Sequence, residues 1–165
     1  MERVTESGAS ESRQRVLAAA PAVEASEAGA RWLGVQYWRA VQAATHGAVR
    51  AAWRDGGGAL TLLGGPRLFR FGPPELEARD DLVRCCHEIR GGLLAVRPGG
   101  RVTLEQRPAE GGHELVVSVE EYVPRLAARV GAPRWAGLLY VKAQSPFHVA
   151  VSRRYFESLT GEEIG

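Results

Sequence analysis

A chain of 165 residues, 45% hydrophobic and 24% charged, has the length and balance of an ordinary soluble domain that can bury a core. No apolar run approaches the roughly 20 residues of a membrane-spanning helix, and a formal net charge of +2 offers no concentrated field for nucleic acid. Of the 21 basic residues only Lys142 is a lysine; the dispersed arginines read as the coding bias of a high-GC bacterial genome, not as a phosphate-binding surface.

Residues 1–30 are rich in Glu, Ser and Ala and hold no aromatic residue, which predicts a disordered or weakly helical arm. Glu2, Glu6 and Glu11 put the wrong charge before the short apolar stretch 16–23 for a secretory leader, so the expected location is the cytoplasm. One α+β domain is expected over 31–160. Tyr37, Val41, Ala44, Ala48 and Ala52 recur at spacings of four and three and predict a helix over 31–54, ended by Asp55-Gly56-Gly57-Gly58. Trp32, Trp38 and Trp53 add large apolar bodies, and His46 falls on the polar side with Arg39 and Arg50. Because this segment has four arginines and no acid, a membrane-peripheral or protein-interaction helix is an alternative reading.

Short strands are predicted over 59–63, 67–71 and 75–79, the last two parted by the rigid corner Gly72-Pro73-Pro74. The most regular stretch, 82–122, reads as three strands. Val83, Cys85, His87 and Ile89 share one face of the first; Val102, Leu104 and Gln106 share one face of the second. In the third, His113, Leu115, Val117, Val119 and Glu121 alternate with more polar neighbours. Gly91-Gly92 predicts a bulge or sharp bend, with a strand resuming over 93–96. A second helical region spans 133–159, where Phe147, Val151, Tyr155 and Leu159 recur every four residues and Ser145-Pro146 marks a kink or a fresh start.

Tight glycine turns make successive strands antiparallel, so the outline is a helix, six or seven short strands and a long C-terminal helix. Over residues 59–159 this outline resembles the helix-grip fold of START/SRPBCC-type ligand-binding proteins. That resemblance implies a curved antiparallel sheet wrapping a long C-terminal helix around an apolar cavity. It is architectural and rests on no diagnostic motif; those proteins usually open with a strand, whereas a helix is the first element predicted here. A closed, lipocalin-like β-barrel with flanking helices fits the strand count nearly as well.

No phosphate-cradling glycine motif and no nucleophile elbow is present. Adjacent Cys85 and Cys86 point to opposite faces of a strand and read as reduced thiols. The candidate constellation lies on the inner sheet face. Cys85, His87, Gln106 and Glu121, joined by Gln144 and His148 of the closing helix, are the candidate ligand contacts. His87 or His113 with Glu121 has the residue types for general acid–base work on a carbonyl substrate, and Cys85 with the two histidines has those of a metal site. Binding of a hydrophobic small molecule, lipid or polyketide-like, without cofactor or metal, is the reading these residues favour. A cofactor-free cyclase or hydrolase is the alternative.

Overall fold

The computed structural model describes the backbone of residues 2–4, 10–54, 56–95, 98–122 and 134–161, and the side chains of 12–54, 56–95, 98–120 and 147–161. Two strands open it, β1 (Glu2–Val4) and β2 (Ser10–Ala18), followed by helix α1 (Glu27–Ala44). Strands β3 (Val49–Arg54), β4 (Gly57–Leu62), β5 (Arg67–Phe71) and β6 (Glu75–Arg79) lead to the long strands β7 (Leu82–Gly91), β8 (Arg101–Ala109) and β9 (Gly112–Tyr122). Helix α2 (Arg134–Thr160) closes the chain.

The nine strands form one antiparallel sheet in the order β1-β2-β9-β8-β7-β5-β4-β3, with β6 also paired to β7. The described strands run from one edge to the other without closing, so this is an open, helix-grip-like α+β fold and not the lipocalin-like barrel. The Gly72-Pro73-Pro74 corner divides one side of β7 between two partners. β6 pairs with Leu82 to Cys86, while β5 pairs with Ile89 and Gly91 through a register shift. Prolines have no N–H for a ladder, so the corner lets the sheet change direction there. Gly92 serves the same bend: at φ 135°, a Cβ on it would fall 2.3 Å from the carbonyl oxygen of Leu68.

Three elements differ from expectation. The segment Ser10–Ala18, expected within a mobile or weakly helical arm, is strand β2, in register with β9 through pairs such as Gln14↔Val117 and Val16↔Leu115. A polar segment with little hydrophobic signal is ordered there by ladder hydrogen bonds to a distant strand. A strand therefore does open the chain, which removes the departure from the helix-grip order. The helix expected over 31–54 instead begins at Glu27, capped by Ser26 accepting from Gly29 N at 3.0 Å, and ends at Ala44. His46 and Gly47 then take positive φ (51° and 79°), and Val49–Arg54 is a strand with Val49, Ala51 and Trp53 turned inward. Alanines at 44, 48 and 52 satisfy either period, and Gly47 tips the balance. The strand expected over 93–96 is absent from the described part of that stretch, where Leu93 N and Leu94 N donate to the carbonyls of Arg67 and Leu68.

The core lies between the inner sheet face and the two helices. Leu33 and Ala30 of α1, Leu104 and Leu115 of the sheet, and Val151 and Tyr155 of α2 are all at most 1% exposed. Tyr37 and Tyr155 meet edge-to-face at 5.6 Å and tie α1 to α2. On the outer face, a ladder of Arg–Glu pairs (Arg15 and Arg107 with Glu114, Arg79 and Arg84 with Glu77) spans the strands.

Candidate functional site

Helix α1 crosses the inner face of β7 with Gly34 at the contact. A Cβ there would lie 2.9 Å from Cys85 Sγ and 3.0 Å from His87 Nε2, so only glycine lets the helix approach this closely. The next inward turn of α1 carries Tyr37 and Trp38. Trp38 packs against Phe71 (4.9 Å between centroids), His87 (5.2 Å) and Trp53 (5.4 Å). Two hollows flank this indole, and it lines both.

The first is a cavity of about 340 Å³ between the sheet, α1 and α2. Tyr37 and Trp38 of α1, Phe71 and Val119 of the sheet, and Phe147 and His148 of α2 are on its wall. Its surface is almost wholly apolar among the described residues. Thr45, one of its few polar side chains, already donates from Oγ1 to Val41 O at 3.0 Å and accepts from Val49 N at 3.1 Å. Burial pushes the Tyr37 hydroxyl well above its ordinary value, so it stays protonated. Such a space lies in the size range of small-molecule sites and, being apolar, favours an apolar occupant over water.

The second hollow is a groove of about 650 Å³ on the other side of Trp38, between α1, β3 and β7. Cys85 and His87 line it; neither lines the cavity. His87 is 3% exposed. Its Nε2 accepts from Trp38 Nε1 at 3.2 Å, with Cys85 Sγ 3.3 Å from the same nitrogen. An indole N–H can only donate, so Nε2 is unprotonated and Nδ1 carries the hydrogen. That Nδ1 is buried and has no partner among the described residues. Burial lowers His87 to about 4 and raises the Cys85 thiol to about 12, so the pair is neutral on both sides at pH 7. It is therefore not an activated thiolate–imidazolium nucleophile.

The remaining candidates are dispersed. Gln106 points inward from β8, as the alternation predicts, but its amide holds the backbone that leads into α1. Its Oε1 accepts from Ala22 N and Val23 N at 2.7 and 2.9 Å, and its Nε2 donates to Val23 O at 2.7 Å. His113 sits at the far end of β9, paired with Pro108 and Ala18, whereas His87 shares a row with Val102 and Val119. Six residues along a strand separate the two histidines' rows by roughly 20 Å, so they do not form one site. Glu121 belongs to β9 and Gln144 to α2, with side chains outside the described residues. His148 is on the cavity wall. Among the described residues, no three His, Cys, Asp or Glu side chains converge as metal ligands. Nor is any helix there long and apolar enough to cross a membrane.

Sequence reasoning assigned the hollow's wall to β7–β9 and the closing helix, named Trp38 only as a large apolar body, and gave Phe71 no place there. The alternation of Phe69 and Phe71 was the available signal for β5; nothing local marks Trp38 as the partition.

No protein-family model and no curated protein matches the chain. Among solved structures it is similar to Ara h 8.0201, at 13% identity and a TM-score of 0.42, covering 91% of this chain and 99% of that one. It is also similar to CalU16 from Micromonospora echinospora, at 18% identity and a TM-score of 0.30, covering 97% of this chain and 92% of that one. Likenesses at these scores carry no functional weight for this chain.

Proposed function

We propose that the protein binds a hydrophobic small molecule, lipid or polyketide-like, in the cavity between the sheet and its helices. The observation that supports this is the cavity itself: about 340 Å³ bounded by Trp38, Phe71, Val119 and Phe147, where a close-packed core would leave only small voids. The wall is apolar and aromatic, so the contacts it offers an occupant are mainly hydrophobic.

The test is a titration with N-phenyl-1-naphthylamine, a neutral apolar fluorophore that brightens when it leaves water. The unaltered protein is expected to bind it, and Val41→Phe with Val119→Phe, which fill the space from α1 and from β9, to weaken binding by roughly tenfold or more. Circular dichroism confirms that the filled variant remains folded. No brightening with the unaltered protein, or full brightening with the filled variant, overturns the proposal.

A further inference from the structure

The groove on the far side of Trp38 has a different chemistry from the cavity. Its apolar surface comes from Val35, Ala51, Trp38, Trp53 and the Pro73-Pro74 corner. Around that surface stand Arg31 and Arg39 of α1 and Arg54 of β3, and no carboxylate lines it among the described residues. Arg31 pairs with Glu27 at 3.0 Å, Arg39 lies over the Trp32 ring at 5.2 Å, and Arg54 has no ion-pair partner among the described residues. The pairing and stacking of Arg31 and Arg39 leave much of each guanidinium fork to bind something else.

The polar groups its side chains leave over are mostly hydrogen-bond donors. Gln42 uses its carbonyl Oε1 to accept from Ala51 N at 3.1 Å, which leaves its NH₂. Trp53 Nε1 and His87 Nδ1 are both buried N–H groups without an acceptor among the described residues, and both side chains line the groove. The guanidiniums of Arg39 and Arg54, an amide NH₂ and two orphaned ring N–H groups are donors with no hydrogen-bond or ion-pair acceptor among the described residues, and Arg31 has N–H groups beyond its one contact with Glu27.

We propose that this groove is a second binding site, for a small organic anion with an apolar body, a carboxylate being the simplest case. The apolar body lies against Trp53, Ala51 and the proline corner while the carboxylate meets Arg39 and Arg54. Both hydrogen-bond geometry and charge then favour the anion over its neutral isostere. The site is independent of the cavity: its arginines do not line that space, and Trp38 stands between the two.

The experiment is calorimetric titration with 2-naphthoate and with its neutral counterpart, naphthalene-2-carboxamide, in low and in physiological salt. The unaltered protein is expected to bind the carboxylate more tightly than the amide, with affinity falling as salt rises. In the double variant Arg39→Gln, Arg54→Gln, both changes on exposed side chains, carboxylate affinity is expected to drop by roughly tenfold or more. N-phenyl-1-naphthylamine binding in the cavity should be unchanged in that variant. Equal affinity for acid and amide, no uptake of 2-naphthoate at millimolar concentration, or undiminished uptake by the double variant each overturns the proposal.

Discussion

The indole N–H of Trp38 donates to Nε2 of His87 over 3.2 Å, and this one bond fixes the tautomer of a buried imidazole. It joins α1 to β7 just beyond the point where Gly34 lets the helix touch the sheet. It also holds the indole that stands between an apolar cavity and an arginine-rimmed groove. Helix placement, protonation and the division of the interior thus depend on the same contact.

A pH dependence of stability follows from His87. Burial lowers it to about 4 in the folded chain, against about 6.5 for an unfolded histidine. The unfolded chain takes up the proton first. The stability contribution is therefore fully present above about pH 6.5, declines as pH falls toward 4, and changes no further below that. The total loss is about 3 kcal/mol. Urea unfolding between pH 8 and 4 should show this decline, and His87→Gln, which cannot titrate, should flatten it. A His87 ring whose NMR shifts move between pH 7 and 6 would contradict the assignment.

Gln106 is expected to matter for folding and not for ligand binding. Its amide makes three hydrogen bonds to the backbone of Ala22 and Val23. Gln106→Leu leaves those buried groups unmatched and should cost about 3 kcal/mol, read as a lower denaturation midpoint at constant slope. Gln106→Glu keeps the two acceptor contacts but sets a carboxylate against the Val23 carbonyl. It should be intermediate, and should recover stability when its carboxyl is protonated at low pH.

Tyr155 gives a prediction of the opposite sign. Its ring is among the most buried in the core and packs edge-to-face on Tyr37, yet its hydroxyl has no partner among the described residues. Burial pushes that hydroxyl far above its ordinary range, so it stays protonated at any working pH. Tyr155→Phe keeps the ring contact and removes an unsatisfied polar atom. Thermal unfolding should show no loss, or a gain of up to about 1 kcal/mol. A loss of about 2 kcal/mol would mean that the hydroxyl is bonded after all.

Strands β4 to β9 were legible because each carries its own signal: a short apolar or alternating run bounded by glycine, proline or Asp80-Asp81 turns. The alternation of Val83, Cys85, His87 and Ile89 needs no partner to be read, and all four are at most 3% exposed. Strand β2 carries no such signal, because what orders Ser12 to Ala18 is a ladder to residues about a hundred positions away. Strand β3 was hidden for another reason, since an alanine-rich segment satisfies helix and strand periods alike.

The chain's local pattern by itself determined that a meander with one covered face exists, that His87 and Gln106 lie on that face, and that a long helix follows. Only the tertiary structure decided what those side chains touch. The crossing of α1 over β7 at Gly34 leaves His87 lining a groove instead of the cavity. The cross-strand register set His113 six positions along the strands from it, and the Gln106 amide bonds to the backbone before α1. Periodicity records which side of a strand a residue occupies; its neighbours there come from other segments, and their placement is settled only when the helices dock on the sheet.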